Sequence, residues 1–331
     1  GPSFGAVRAA TDRRSEFLAS ADHWFRPVEV RTGPDGGLWV VDFYREVIEH
    51  PRWIPAERLK DLNPRGGADR GRIYRIVPEG APARALPQVS AATVAELARF
   101  LGSTNGVLRD LADREWRRRR ATSSPADAAV SWTALESNLP PLGPAARVQW
   151  EWLRCSEPEA ASTAPPLEFK HTDPRVRRAL LPLLERLPVS ATYPEPAGFR
   201  ELITDSDPGV RYQLALTTGR LLANSRAESD RRDSPAEASQ NGAPETKSKV
   251  NGVAVGPAWL QGIVPGLTRQ SLTNRWQRAA VLAAAGQVST AELSEILPNL
   301  RTIQQPDFTA GILRTVAHRD DPELAARVTA T

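Results

Sequence analysis

The sequence predicts a mainly α chain, a helical-repeat solenoid preceded by one short β unit. Three observations carry this reading. Before residue 80 apolar residues alternate between concentrated turn signals; from about residue 90 they recur at helical spacing; and an Asp-Pro-x-Val-Arg pattern returns after 34 residues.

The β unit comes first. Val28-Glu29-Val30-Arg31 alternates as a strand does, and Gly33-Pro34-Asp35-Gly36-Gly37 is a turn. Leu38-Trp39-Val40-Val41-Asp42 reads as a buried strand ended by Phe43-Tyr44. After a Pro-rich excursion, 71–77 is a further strand with its apolar face at Ile73 and Ile76, stopped by Pro78. Three short antiparallel strands bury too little to stand alone, so the unit reads as one blade of something larger.

The helices follow. Val94, Leu97, Ala98 and Leu101 form one apolar stripe, and Val107, Leu108, Leu111 and Ala112 another. Asp173-Pro174-Arg175-Val176-Arg177 and Asp207-Pro208-Gly209-Val210-Arg211 open two helices 34 residues apart, and Asp321-Pro322 opens the last. Asp accepts from the free N–H groups of a first turn and Pro fits that turn without losing a bond. Further helices are expected over 259–264, 274–285, 290–297 and 308–318. A period near 34 with two helices per unit marks a HEAT- or armadillo-like solenoid. The domains expected are 1–80 and 81–331, with a disordered insertion at 224–252, where large apolar side chains are almost absent, and a weaker loop at 121–144.

Composition narrows the function. Of 331 residues, 40% are hydrophobic and 25% charged, an ordinary globular mixture. No run approaches the roughly 20 apolar residues of a membrane span. A single cysteine, Cys155, excludes an intramolecular disulfide framework, a Cys-x-x-Cys-His haem attachment and a Cys-rich zinc site within this chain. The sequence has no methionine and opens Gly1-Pro2-Ser3-Phe4, so it is expected to be an internal portion of a longer polypeptide. The net charge of +4 is evenly spread. Arg117-Arg118-Arg119-Arg120 is the dense basic run, read either as a phosphate-contacting patch or as the solvated end of a helix. Lacking interleaved aromatics and a binding module, it is expected to be the latter, and no nucleic-acid partner is expected.

Gly33-Pro34-Asp35-Gly36-Gly37-Leu38-Trp39-Val40-Val41-Asp42-Phe43-Tyr44-Arg45, then Ile48-Glu49-His50-Pro51, then Gly71-Arg72-Ile73-Tyr74-Arg75-Ile76 resembles the last propeller blade of a known family. Its members are the large planctomycete and verrucomicrobial membrane-bound dehydrogenase-domain, or haem-binding, proteins. Asn105-Gly106-Val107-Leu108-Arg109-Asp110 resembles the stretch that opens their helical region. The resemblance implies a terminal β-propeller blade followed by HEAT-like repeats. It also implies a periplasmic or cell-envelope address and a parent that oxidises sugars or alcohols. The parent's cofactors would be haem c in a cytochrome module outside this chain, with a quinone or calcium in the propeller; no cofactor is expected within the chain itself.

The candidate catalytic residues are Asp42, Tyr44, Arg45, Glu49 and His50, a polar cluster where a strand ends. One reading makes them acid and base groups lining a channel, as in the related quinoprotein sugar dehydrogenases. The other has Asp42 and Arg45 pair to hold the loop while His50-Pro51 forms a turn, and this is the expectation. His23 and His171 have no ligand-spaced neighbours and His318 sits near the end of an apolar helix, where an imidazolium suits the dipole, so no metal site is expected. Cys155, near Trp150, Trp152 and Leu153, reads as a buried inert thiol. No phosphate-cradling Gly-rich loop, Gly-x-Ser-x-Gly elbow or His-Glu-x-x-His occurs.

Two functions from different classes remain. One is the propeller-end and HEAT-repeat portion of an exported dehydrogenase that passes electrons to a cytochrome c module elsewhere, its partner being the rest of the parent polypeptide. The other is a non-enzymatic helical-repeat scaffold that binds a protein on its solenoid surface. In either case this chain alone is expected to show no turnover.

Overall fold

A computed structural model describes residues 7–331 except 81–83, 123–130, 157–166, 188–192, 233–256, 271–273, 302, 304, 320 and 331. Among the described residues the chain is mainly helical, with one small antiparallel sheet, and it divides into compact units at 2–146 and 147–331.

In the first unit β1 (Pro27–Thr32), β2 (Leu38–Asp42) and β3 (Arg72–Ile76) form the sheet in the order β1-β2-β3. Val30 lies opposite Val40, which lies opposite Tyr74, while Val41 lies opposite Ile73. Residues opposite one another share a face. Val40 is buried, yet Ile73 is 66% exposed, against the expectation that it forms the apolar face of its strand. The turn 33–37 sets the register, with Gly33 N–H donating to Gly37 O. A short helix, α1 (Ala56–Leu59), lies within the long β2–β3 connection. Strands occur only before residue 80 among the described residues, as expected.

Helices α2 (Val94–Leu101), α3 (Gly106–Thr122) and α4 (Trp132–Ser137) complete this unit. Thr93 and Glu96 make a reciprocal capping box at the start of α2. Leu97, Ala98 and Leu101 are buried, as the stripe requires, with Ala112 and Trp116 of α3 and Leu135 of α4. The loop expected over 121–144 thus contains a helix, anchored by Leu135; residues 123–130 of it lie outside the described ones.

Helix α5 (Pro144–Arg154) carries the chain into the second unit. There follow α6 (Pro174–Leu180), α7 (Pro208–Arg232), α8 (Ile263–Thr268), α9 (Arg275–Ala285), α10 (Thr290–Ile296), α11 (Pro306–Ala317) and α12 (Pro322–Ala330). One apolar cluster extends from Cys155 to Leu324. At its centre Phe199 meets Phe169 and Trp259 edge-on, at centroid distances of 5.7 and 4.8 Å. Helix α7 packs on α6, α8 and α9. A Cβ on Gly219 would stand 3.1 Å from Ala284 Cα, so glycine is what lets α7 approach α9 this closely.

The Asp-Pro starts behave as capped starts. Asp173 accepts from Arg175 N (2.8 Å), Asp207 from Val210 N (2.9 Å) and Asp321 from Leu324 N (3.1 Å). Val176, Leu180, Val210 and Leu214 are all buried, matching the inward positions read from the repeat.

The insertion expected at 224–252 needs correction at its start. Helix α7 continues to Arg232, Ser225 is buried and donates to Leu221 O (2.9 Å), and Arg226 donates to Val288 O (3.0 Å). Composition concealed this because the stretch is polar yet still supplies bonds to the neighbouring helix end. Residues 233–252 lie outside the described ones.

Candidate functional site

The five candidate residues follow β2, and the chain reverses around them. Asp42 is buried at the strand's end, 1% exposed. Its Oδ1 accepts from Arg26 N (2.8 Å) and Tyr44 N (2.9 Å), and its Oδ2 accepts from Arg72 Nε (2.8 Å). Burial works to raise the Asp42 carboxyl, but these three hydrogen bonds outweigh it and hold it below its ordinary value. A carboxylate so committed is a poor proton acceptor at neutral pH.

Asp42 pairs with Arg72 of β3 rather than with Arg45. Arg72 in turn reaches Asp22 (3.1 Å) and lies over the Tyr44 ring, 4.1 Å from its centroid. Trp24 meets the Tyr44 ring at a tilt, with 5.7 Å between centroids. Tyr44 has φ +52°, the left-handed region that non-glycine residues seldom adopt, and these contacts hold it there.

Arg45 does hold the loop, through carbonyls. Its Nη1 donates to the carbonyls of Phe43 (3.0 Å), Tyr44 (2.9 Å), Arg70 (2.9 Å) and Gly67, and its Nη2 donates to Ala68 O (3.2 Å). Gly67, at φ +83°, lies against the Tyr44 carbonyl, where a Cβ would collide.

His50 and Glu49 are not brought into this cluster by any bond between them and Asp42, Tyr44 or Arg45. His50 Nδ1 accepts from Arg52 N (3.2 Å) and so caps the turn Pro51–Trp53. Glu49 lines an open cavity of ≈ 500 Å³ with Glu46, Val47, Trp53, Arg58 and Asp61. The candidates therefore form a three-residue knot at the strand end and two separate residues beyond it.

Sequence reasoning passed over Arg72 and Asp35. Asp35, 8% exposed, accepts from Trp39 Nε1 (3.0 Å) and from Arg75 Nε (2.7 Å). Asn105, singled out within 105–110, donates to the carbonyls of Gly33 (2.8 Å) and Pro34 (3.1 Å), tying this turn to the start of α3. No local pattern points to pairings 30 to 72 residues apart.

The basic run is paired. Arg117 meets Asp113 (2.8 Å), while Arg118 (2.8 Å) and Arg119 (2.7 Å) converge on Glu115. The bond from Arg118 drives the Glu115 carboxyl down to about 2; burial opposes this and Arg119 adds to it. Cys155 is buried and burial pushes its thiol up, the opposite of what a nucleophile needs. Among the described residues no group of three His, Cys, Asp or Glu side chains could hold a metal ion, and no helix is long and apolar enough to cross a membrane.

Residues 1–80 match the model of a domain of unknown function, DUF7133. No curated protein and no solved structure matches the chain.

Proposed function

We propose that this chain is a non-catalytic scaffold within a larger exported oxidoreductase, its sheet the closing blade of a β-propeller and its helices a HEAT-like solenoid. The observation that carries the reading is the use made of the polar residues after β2. Asp42, Tyr44 and Arg45 are bound to backbone groups and to Arg72, which fits a loop clamp and leaves no free acid–base pair. The sheet adds a second support, since β1 is exposed along all six residues and Val28 and Val30 are 54% and 55% exposed. Such an edge suits a strand that meets a further sheet.

The oxidoreductase part rests on the resemblance of 33–51 and 71–76 to the membrane-bound dehydrogenase-domain proteins, with haem c, and a quinone or calcium, held by other parts of the parent. The cell-envelope address rests on the same likeness. The test is twofold. The gene on either side of this segment is expected to encode further blades upstream and a Cys-x-x-Cys-His downstream. The purified chain is expected not to reduce an artificial acceptor with sugars or alcohols above a no-protein control. Reduction that is lost in Asp42→Ala would overturn the scaffold reading, and absence of both flanking features would overturn the dehydrogenase parent.

A second reading, a protein-binding repeat scaffold outside any oxidoreductase, rests on the helical repeat alone. The 34-residue recurrence extends to hydrogen bonds. His171 Nδ1 accepts from Asp173 N (3.0 Å) as Asp205 Oδ1 accepts from Asp207 N (2.9 Å), and Arg177 and Arg211 donate to the carbonyls of His171 and Asp205. A partner recovered by cross-linking to 147–331, with no haem protein in the same gene, would select it.

A further inference from the structure

Strand β1 has one side bonded to β2 and one side exposed, and the exposed side is patterned. The order β1-β2-β3 puts β1 at the rim of the sheet, and all six of its residues are exposed. The turn that follows fixes which backbone groups lie on which side. Gly36 N–H donates to Gly33 O (2.9 Å) and Gly33 N–H donates to Gly37 O (2.8 Å), so Gly33 and Gly37 form a hydrogen-bonded pair. Bonded and non-bonded pairs alternate along an antiparallel ladder, and the register runs unbroken from the turn back to Glu29. Arg31, opposite Trp39, therefore bonds to β2. The N–H and C=O of Val30 and Thr32 point the other way, to the exposed side.

The side chains are self-complementary about Val30. Glu29 and Arg31 flank it on the same face, 2.8 Å apart, with 49% and 76% of their side chains exposed. Let the strand meet a copy of itself antiparallel, Val30 opposite Val30. Glu29 of each copy then falls opposite Arg31 of the other, and Val28 opposite Thr32. The outward backbone groups of the two Val30 residues form a bonded pair. The charged residues take the non-bonded positions, where facing side chains are closest. A slip of one residue turns outward backbone groups against inward ones. A slip of two puts Glu29 against Glu29, or Arg31 against Arg31, and like charges directly opposite destabilise. One register is thus selected by charge. The other rim of the sheet offers none, because β3, Arg72–Ile76, carries Arg72 and Arg75 and no acid.

We propose that β1 is a self-association edge, to which a second copy of this chain adds its own β1 antiparallel, joining two three-stranded sheets into one. The two Val30 side chains, each 55% exposed in the single chain, then cover one another. This stands on the edge alone and does not depend on the scaffold reading above. Pairing along six residues buries far less than the roughly 800 Å² per partner of a standard interface, so the dimer is weak, with a dissociation constant on the order of 100 µM.

Sedimentation equilibrium of the intact chain is the test, with the mass expected to rise from one copy toward two as concentration increases. Glu29→Arg and Arg31→Glu each replace attraction by repulsion at both symmetry-related pairs, and each should weaken the dimer about tenfold or more. Mixed in equal amounts, these two variants should pair with each other about as well as the wild-type chain pairs with itself, since every facing charge is again opposite. Both positions are exposed, so neither change threatens the fold. As a second readout on the wild-type chain, the Val30 and Thr32 amides should gain protection from exchange as concentration rises, while the amide of Arg31, already bonded to β2, should change least. A chain that stays a single copy up to about 1 mM overturns the proposal and leaves this edge to a strand of another protein or of the parent. So does a dimer that neither variant weakens, or a mixture that pairs no better than each variant alone.

Discussion

Arg45 and Arg177 are both arginines that donate to backbone carbonyls, one in each unit, and they do different work. Arg45 gathers carbonyls from 43–70 and pairs with no carboxylate among its bonds, so it shapes one loop. Arg177 donates to the His171 carbonyl (2.6 Å) and also forks onto Asp205 at 2.7 and 2.9 Å, in a pair of which only 13% and 5% of the side chains are exposed. It joins one Asp-Pro start to the next. The lesson is that the helical unit directs its strongest polar contacts between successive elements around a continuous core. The strand unit directs them inward, to fix a turn, and leaves its first strand open.

The largest expected effect therefore lies in the helical unit. Arg177→Ala leaves the Asp205 charge buried without its partner, and such a loss costs about 3–5 kcal/mol. Urea denaturation measures it. A cost below about 1 kcal/mol would mean that the pair does not bind the repeats together.

Asp42→Ala should come next, at about 2–3 kcal/mol, because Arg26 N, Tyr44 N and Arg72 lose their common acceptor. Asp42→Asn keeps an acceptor oxygen and should cost less. If the two variants are equally stable, the charge rather than the turn geometry is what matters at this position.

Acid should act on the first unit through Glu115. Its carboxyl is depressed from 4.5 to about 2, so the ion triad with Arg118 and Arg119 stabilises fully above about pH 4.5. That contribution declines as pH falls and is gone once pH drops through about 2. Glu115→Gln should flatten the stability profile over this window, and added salt should shrink the difference, since the side chain of Arg118 is 60% exposed.

The smallest effect is expected at the exposed apolar residues of the two outer strands. Val30→Thr or Ile73→Thr should change stability by no more than about 0.5 kcal/mol in this chain, as both side chains are largely in water. A loss several times larger would show that these residues already have a partner.

Much of the helical unit was legible in the sequence because its signals are local. Asp-Pro starts and the inward positions 176, 180, 210 and 214, like the stripe at 94, 97, 98 and 101 in the first unit, reflect contacts within one or two turns. What the sequence concealed was long-range. Asp42 was expected to face Arg45, three residues away, yet it faces Arg72, and which of two nearby cations it meets depends on the β2–β3 register. Nothing local marked Asp205, because its partner lies 28 positions earlier. Alternation at 71–77 located β3 correctly but not the exposed side of Ile73, since a strand's pattern does not tell which face another element covers. Polarity at 224–232 concealed the end of α7 for a related reason, as a helix needs an apolar stripe only where it packs.

Native-state hydrogen exchange on the intact chain tests the central contrast between a self-contained helical unit and an open strand unit. Backbone amides of α7, α9 and α11 around Val210, Leu214, Val281 and Ile312, all buried, should exchange slowest, near the limit set by global unfolding. Amides of β1, exposed throughout, should exchange orders of magnitude faster. Equal protection of β1 and α7 would contradict the account, because it would place the strand unit in a covered, cooperative core.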